Sequence, residues 1–282
     1  MSRMPALFIG HGSPMNTLEL NGFTRAWRVL GQKLPRPRAI AAISAHWYIG
    51  ATAVTAMPRP RTIHDFYGFP QALFDFEYPA MGSPEVADAI VEAVKPDWAG
   101  LDHDEWGLDH GTWSVLAHLF PAADVPVVQL SINALQPLEY HFKLGTRLAA
   151  LADQDILVLS SGNVVHNLRL VQWNRPNEGE DRARRFDEAV MRQMSEDPAG
   201  IAKVAEHPDF AKAVPTPDHF LPLLYTAGIA AVTGRAQPLI HGYTLGSLSM
   251  TSYNTGPDLE VPFDVHGSTE LPANVPPDQT NT

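Results

Sequence analysis

The sequence predicts an α/β fold, a single domain in which helices flank a central mixed sheet. Short apolar runs alternate with helix-like segments over most of the 282 residues, an order typical of strand–helix–strand crossovers. The apolar runs are continuous, as expected for strands that helices cover on both faces. The chain shows no internal repeat and no linker of biased composition, so one large domain accounts for its length.

The predicted strands follow from these apolar runs. They are residues 6–9 (ALFI), 39–44 (AIAAIS), 125–132 (VPVVQLSI) and 156–160 (ILVLS), followed by a β-rich stretch at residues 239–253. In an open α/β sheet, ligands bind at the carboxyl ends of the strands, where the loops converge. The residues that follow the runs are therefore the first place to look for a site.

Three helices are predicted between the strands. Ser83 is placed to cap a helix whose first position is Pro84, with apolar residues at four-residue spacing behind it. A second helix opens after Pro137, and a third covers residues 181–194, where one side is apolar and the other charged. The apolar sides of these helices are predicted to pack in the hydrophobic core.

The catalytic domain is predicted to cover residues 1–266. Residues 267–282, GSTELPANVPPDQTNT, contain no aromatic side chain and few apolar ones. A segment of this composition cannot bury enough surface to order itself, so it is predicted to be a mobile tail.

Composition excludes several classes of function. The 31 acidic side chains outnumber the 20 basic ones, and a net charge of −11 repels nucleic acid and anionic membrane surfaces. The chain has no cysteine, which excludes disulfides, thiolate metal sites and cysteine nucleophiles. No apolar run is long enough to cross a bilayer, and the N-terminal segment lacks the apolar core of a signal peptide. We therefore expect a cytoplasmic enzyme that binds neither nucleic acid nor membrane.

Histidines accompany three of the predicted strands. His11 comes directly after the first strand, His46 ends the second, and His166 lies just past the strand at residues 156–160. A lone histidine is more often structural, but three at equivalent strand ends indicate a shared site. Imidazole is the commonest ligand for zinc and non-haem iron. The pattern predicts a metal site at the carboxyl ends of the strands.

A fourth histidine, His219, precedes a predicted helix. Asp218 is expected to cap that helix, and Pro222 to lie in its first turn. His219 would then project from the helix start and can join the metal site. The long sequence distances between these histidines carry no motif information, so position at the sheet edge is what connects them.

Two further stretches have the composition of a site. LDHGTW contains His110, whose imidazole can exchange a proton with a substrate or simply hydrogen-bond within a loop. The aromatic segment IHDFYGFP contains the candidate substrate-binding residues His64, Asp65 and Phe66. If exposed, this segment forms a stacking wall for a planar substrate; if buried, it is a hydrophobic cluster. A phosphate-binding loop and a serine hydrolase are disfavoured, because IGHGSP and SSGNVVHN lack their motifs.

Taken in order, six motifs resemble those of one enzyme family. They are GHGSPMN, SAHW, TIHDFYGFP, LDHGTW, SSGNVVHNL and DHFLPLL. The sequence resembles the extradiol ring-cleavage dioxygenases of the LigB superfamily, and within it the branch of DOPA dioxygenase extradiol-like proteins. The resemblance implies an α/β fold with a central mixed sheet, a single divalent metal, and ring opening of a catecholic, DOPA-like substrate by dioxygen.

The resemblance also implies roles for individual histidines. His11 and His46 match two metal ligands, and His219 lies where better-studied relatives place a glutamate ligand. His166 matches a histidine that acts as a base toward the catechol hydroxyl and that in this branch is also described as a ligand. His110 falls in a motif that supplies a further active-site histidine.

The change from glutamate to histidine bears on the metal. It removes the carboxylate from the facial triad of iron(II) oxygenases and leaves neutral imidazoles, which suit zinc at least as well as iron. We expect zinc in the isolated protein and iron(II) as the metal that supports turnover, because zinc is redox-inert.

Two other functions stay open on the sequence. Tetrapyrrole metal chelatases also carry a GHGS-type strand end with metal-receiving histidines, although DHFLPLL and LDHGTW have no part in that pattern. A metal-binding or interaction protein without catalysis is the third possibility, since one fold hosts unrelated functions.

Overall fold

The computed structural model describes residues 3–267, and the domain has the predicted α/β fold, a central mixed sheet between two layers of helices. Eight strands form this sheet, and four short strands pair outside it. The strands are β1 (Ala6–Gly10), β2 (Ala39–Ile49), β3 (Ala53–Thr55), β4 (Arg61–Thr62), β5 (Gly100–Asp102), β6 (Gly107–Leu108), β7 (Val127–Asn133), β8 (Ile156–Gly162), β9 (Gln237–Ile240), β10 (Tyr243–Thr244), β11 (Leu248–Ser249) and β12 (Ser252–Asn254).

Helices occupy most connections between the strands. They are α1 (Gly22–Lys33), α2 (Gln71–Phe74), α3 (Pro84–Ala93), α4 (His110–Leu119), α5 (Leu138–Leu148), α6 (Asp181–Glu196), α7 (Phe210–Ala213) and α8 (Leu221–Thr233). Short 3₁₀ helices add Pro14–Thr17, Ala149–Gln154, Leu168–Leu170 and Pro198–Glu206. The three helices predicted between the strands correspond to α3, α5 and α6, and the helix predicted after His219 corresponds to α8. Of the helices in residues 3–267, none is long and apolar enough to span a membrane.

The sheet brings the carboxyl ends of four parallel strands to one edge. Its order is β5-β3-β7-β2-β8-β1-β12-β9. The neighbours β7, β2, β8 and β1 run parallel, whereas β12 pairs antiparallel with β1, and β9 pairs antiparallel with β12. Because parallel strands end at the same side, the loops after β1, β2 and β8 meet there.

Both faces of the sheet are buried, which explains the continuous apolar runs. Within β1, Phe8 points to a core formed with α3, α5, α6 and α8, while Leu7 and Ile9 point to a second core formed with α1 and α4. Successive side chains of a strand alternate between faces, so a strand covered on both sides must be apolar throughout.

The prediction that His46 ends its strand was wrong. Strand β2 continues to Ile49, and its pairing with β7 shifts register between Ile43 and Tyr48. His46 lies within this irregular stretch. A local irregularity of this kind re-aims a side chain without ending the strand.

The prediction that Asp218 caps the next helix was also wrong. Helix α8 begins at Leu221, after Phe220, and no side chain caps it. The carboxylate of Asp218 contacts the ring of His219 instead, a nearby donor that competes with the helix for the same oxygens. Pro222 does lie in the first turn of α8. The predicted tail, residues 267–282, falls outside the described residues except for Gly267.

Candidate active site

Five histidine side chains meet where the parallel strands end. They are His11 directly after β1, His46 within β2, His110 at the start of α4, His166 in the loop after β8, and His219 just before α8. The side chains of His46, His110 and His219 are at most 4% exposed, and His11 is fully buried. All the histidines singled out in the sequence as metal or proton-transfer candidates therefore lie in one cluster.

The ring of His11 is oriented from behind by Ser161. Nδ1 of His11 lies 3.0 Å from the Ser161 hydroxyl oxygen, and that hydroxyl donates to the carbonyl of Gly111 at 2.5 Å. Because its proton is used in this way, Ser161 accepts from Nδ1–H of His11 and leaves Nε2 unprotonated. Nε2 of His11 lies 3.3 Å from Nε2 of His46.

Asp65 lies behind two other rings. Its Oδ2 is 3.2 Å from Nδ1 of His46 and 2.9 Å from Nδ1 of His110, and its Oδ1 accepts from the backbone N–H of His110 at 2.9 Å. Burial opposes ionisation, but His110 and His46 hold the pKa of the Asp65 carboxyl well below its usual range. A carboxylate against Nδ1 keeps the proton there, so Nε2 of each ring is left to bind on the other side.

Asp218 orients His219 in the same way. Its carboxylate contacts Nδ1 of His219, and although burial opposes ionisation, that ring holds the pKa of Asp218 well below its usual range. Nε2 of His219 is buried and has no hydrogen-bond partner in the described structure, and the same is true of Nε2 of His110. Unpartnered buried nitrogens are costly, so these atoms fit a role in binding a metal ion or a substrate oxygen.

The spacing of three rings fits one divalent metal ion. The ring centroids of His11, His46 and His219 are 5.2, 5.3 and 5.0 Å apart in the three pairs. Bonds of about 2.1 Å from one ion to three tetrahedrally arranged imidazoles place their centroids roughly 5 Å apart. The ring of His110 is less evenly placed, 3.9 Å from His46 and 6.0 Å from His11, although ligand atoms of His11, His46 and His110 all lie within 4.8 Å of one another.

The electrostatics of the cluster also suit a metal. Burial lowers the pKa of His11, His46 and His166 well below the ordinary 6.5, and neighbouring histidines lower it further. These imidazoles are neutral at pH 7, which is the form that coordinates a metal. These three imidazoles can therefore accept a divalent cation without first losing protons.

Close packing at the start of α4 fixes the position of His46. Asp109 caps α4 by accepting from the backbone N–H of Thr112 at 3.2 Å. A Cβ added to Gly111 would lie 2.4 Å from Oγ of Ser44 and 2.8 Å from Cδ2 of His46. Only glycine allows the helix to approach β2 this closely.

A cavity of about 550 Å³ opens beside the histidines. His46, His166 and His219 form part of its wall, together with Tyr48 and Arg169. The rings of His166 and His219 are stacked, with centroids 3.6 Å apart and planes within 1° of parallel. A planar substrate can thus reach the histidine cluster from this cavity.

Comparison with known proteins identifies the family. The family described as the catalytic LigB subunit of aromatic ring-opening dioxygenase matches residues 6–251, a span that includes all five histidines. The chain belongs to the LigB family. It is an extradiol-type, aromatic ring-opening dioxygenase, an oxidoreductase that takes an aromatic substrate and dioxygen, and the resemblance seen in the six motifs is confirmed.

Individual relatives of this LigB-family enzyme cover nearly the whole chain. It is 48% identical over 262 residues to 4,5-DOPA dioxygenase extradiol of Escherichia coli (strain K12), across 90% of this chain and 96% of that protein. A protein of the same name from Beta vulgaris is 32% identical over 266 residues, 87% of this chain and 94% of the other. The crystal structure of uncharacterized protein JW3007 from Escherichia coli K12 has a TM-score of 0.79 and 43% identity, covering 90% of this chain and 100% of that one.

The two phenylalanines of the aromatic segment in the LigB-family enzyme are buried, whereas Tyr67 between them is exposed. Phe66 is 5% exposed, and its ring packs edge-on against His110, with centroids 5.5 Å apart. Nε2 of His64 lies 2.9 Å from the carbonyl of Phe76. Of the two arrangements considered from sequence, Phe66 and Phe69 follow the buried one and belong to a hydrophobic cluster. Direct substrate binding by His64, Asp65 and Phe66 stays a prediction, and their contacts are with the histidines and the core.

Some contributors to the site carry no signal in the sequence. Ser161 lies in an ordinary apolar strand, and nothing in ILVLSSG shows that its hydroxyl faces His11. Tyr48 and Arg169 were not singled out, yet both line the cavity. Arg169 differs in this respect, because it lies only three residues after His166, and its closeness to that histidine in the sequence could have marked it as part of the site.

Proposed function

We propose that this dioxygenase opens the ring of a catechol-type, DOPA-like substrate in a reaction that depends on one divalent metal. The observation that carries the proposal is the buried histidine cluster at the cavity, with two Nε2 atoms that lack partners. A DOPA substrate is what the names of the Escherichia coli and Beta vulgaris relatives state for those proteins.

We assign the metal to His11, His46 and His219, because their rings are evenly spaced around one point. His166 cannot share the metal with His219 in this arrangement. A metal lies near the plane of each imidazole that binds it, and two parallel planes in van der Waals contact have no point in common. His219 is the better ligand of the two, since Asp218 holds its Nδ1 and its Nε2 has no other partner.

His166 is then the base for the catechol hydroxyl. It lies on the cavity wall, and its lowered pKa keeps the imidazole neutral and able to accept a proton at pH 7. Stacking against His219 holds its ring in one orientation. A bound divalent metal would supply Lewis acidity toward the catechol oxygens and, as iron(II), a redox-active centre through which the electron-rich catechol can reduce dioxygen.

His110 has a supporting catalytic role in this proposal. Asp65 fixes its Nδ1, so its buried Nε2 is the atom left to hydrogen-bond a reacting oxygen. Asp65 and Ser161 act through the rings that they orient, and neither needs to touch the substrate.

The metal assignment is zinc in the isolated protein and iron(II) for turnover. The proposed ligands are three imidazoles without a carboxylate, a donor set that zinc binds well. Zinc has no accessible redox change, so the dioxygenase reaction calls for iron(II) at the same ligands.

The test is oxygen uptake by the iron(II)-loaded protein with a panel of catechols. Loading is anaerobic, and the ring-opened product is followed by its yellow absorption. We expect oxygen consumption equal to product formed, and none from the zinc-loaded protein. Absence of turnover with every catechol would overturn the proposal. Titration with sirohydrochlorin or a porphyrin tests the chelatase alternative, for which we expect no spectral change.

A further inference from the structure

The cavity beside the histidines carries a cation on its wall. Of the residues that line it, Arg169 is the one arginine or lysine. We propose that Arg169 binds a carboxylate on the substrate, so that the preferred substrate is a catechol with an anionic side chain. This inference rests on the proposed function and assigns a specificity residue to the same site.

The backbone that carries Arg169 is firmly held. Asn167 accepts from the backbone N–H of Arg169 at 3.1 Å through its side-chain oxygen, and its side-chain amide donates to the carbonyl of Lys212 at 2.7 Å. The hydroxyl of Ser247 donates to the carbonyl of Asn167 at 2.8 Å. This short turn follows His166 directly, so Arg169 keeps a defined position relative to the proposed base.

The two ends of the cavity differ in chemistry. Its inner end presents His46, His166 and His219, where the catechol hydroxyls would bind. Arg169 is exposed, which places it at the solvent side. A volume of about 550 Å³ lies within the range that holds drug-sized ligands, so there is room for a side chain on the ring as well as the ring itself. A substituent pointing away from the histidines would reach the guanidinium.

Charge and geometry favour a carboxylate as the group that is bound. The net charge of −11 repels anions from the protein as a whole, so an anionic substrate needs a local cation at the site. The guanidinium is planar and donates two parallel hydrogen bonds, a geometry that matches a carboxylate and that a lysine cannot reproduce.

The experiment compares dihydrocaffeate with its methyl ester, which has the same catechol ring without the negative charge. Dissociation constants are measured anaerobically by calorimetry on metal-loaded wild type, Arg169→Gln and Arg169→Lys, and kcat and KM are then measured in air. Arg25→Gln is the matched control, since Arg25 is an exposed arginine on α1 that does not line the cavity. Melting temperatures confirm that each variant is folded.

We expect Arg169→Gln to raise the dissociation constant and KM for the acid about tenfold, the equivalent of ~1.4 kcal/mol. The ester should change by less than about twofold, Arg169→Lys should fall between, and Arg25→Gln should match wild type. Equal losses for acid and ester, or no loss for the acid, would overturn the role of Arg169. If the acid binds through Arg169 and neither compound is opened, the proposed function fails while the carboxylate site stands. If both compounds are opened and the enzyme does not prefer the acid, the proposed function stands while the carboxylate site fails.

Discussion

The imidazoles of His166 and His219 are stacked face to face, with ring centroids 3.6 Å apart and planes within 1° of parallel. The contact joins the loop after β8 to the turn that precedes α8, two segments that are distant in sequence. Because parallel rings do not point at a common metal, the contact separates two roles that the sequence left combined. One histidine can bind the metal while the other exchanges protons with the substrate.

Substitutions at these two positions should therefore differ in effect. His219→Gln is expected to lose the metal, because it removes one of three ligands. His166→Gln should keep a full equivalent of metal and lose turnover by roughly 10²–10⁴-fold, the range for loss of a general base. Metal content by elemental analysis and initial rates on one catechol make the comparison. Loss of metal from His166→Gln would show that His166 is a ligand and contradict the separation.

Asp65→Asn tests whether one carboxylate orients two rings. Its Oδ2 lies 3.2 Å from Nδ1 of His46 and 2.9 Å from Nδ1 of His110. An amide lacks the charge that keeps the proton on Nδ1, so metal affinity should fall by roughly 10–100-fold, as is usual when the group behind a metal-binding histidine is lost. Competition with a chromogenic chelator measures the affinity.

Asp75→Asn is the matched control for this prediction. Asp75 is exposed and its carboxylate contacts Gln71 on the surface, so the variant removes the same charge away from the histidines. An equal loss of affinity in both variants would mean that net charge, and not orientation, is responsible.

Gly111→Ala should disturb the site by steric contact alone. The new methyl group would lie 2.4 Å from Oγ of Ser44 and 2.8 Å from Cδ2 of His46. Overpacking of this kind costs about 1–3 kcal/mol, and displacement of His46 should weaken metal binding at the same time. Thermal unfolding with and without metal gives both quantities. Gly234→Ala serves as a comparison, because no atom lies within 4 Å of the added Cβ, although its φ of +79° adds backbone strain. A Gly111→Ala protein that binds metal as wild type would contradict the steric argument.

Much of the fold was predictable because a strand that is buried on both faces must be apolar along its whole length. Strand β1 has to be apolar at Leu7, Phe8 and Ile9 alike, since helices cover both sides. The same reasoning placed His11 and His166 at one edge, as parallel strands end together. Helices α1 and α4 were not predicted, and α4 begins at a histidine that a local reading places in a loop.

What sequence reasoning could not supply was the direction of side chains. The register shift in β2 that aims His46 into the site depends on pairing with β7, a contact between distant segments. Asp218 has the composition of a helix cap, and only the folded loop shows that it contacts His219 instead. Asp65 was assigned to the substrate from an aromatic context, although its carboxylate lies between two imidazoles.

The metal-free protein should lose stability as pH falls from 7 to 5. Burial lowers the pKa of five histidines below the ordinary 6.5; they are His11, His46, His118, His141 and His166. The unfolded chain takes up protons below pH 6.5 that the folded chain does not, so acid favours unfolding. Each such group contributes up to ~1.4 kcal/mol per pH unit below 6.5 until its folded-state pKa is reached. Denaturant unfolding at several pH values measures the slope of the free energy of unfolding against pH.

Two buried carboxylates act in the opposite direction, but they do not cancel the effect. Burial raises the pKa of Asp109 from 3.8 to about 6 and also raises the pKa of Asp187, so in acid the folded state binds protons at these carboxylates that the unfolded state does not. Together they offset at most two of the five histidines. His141→Gln provides the control, because the pKa of His141 is lowered to about 4 and its Nδ1 bonds to the hydroxyl of Tyr225, away from the metal site. Near pH 5, we expect the number of protons taken up on unfolding, given by the slope of the free energy of unfolding against pH, to decrease by about one in this variant. An unchanged slope would contradict the lowered pKa of His141.

Protein purified without added iron should contain one equivalent of zinc. The proposed ligands His11, His46 and His219 are all imidazoles, and each is fixed from behind, by Ser161, Asp65 and Asp218 respectively. For such donors zinc lies above iron(II) in intrinsic affinity, and the set lacks the carboxylate that completes the facial triad of iron(II) oxygenases. Elemental analysis after chelator-free purification measures the metal, and His219→Gln purified in parallel shows whether it depends on this site. Zinc that is retained by His219→Gln would place it elsewhere. A stoichiometric metal other than zinc or iron would refute the donor-set argument, and a protein that binds no divalent metal when supplied with it would remove the basis for the proposed reaction.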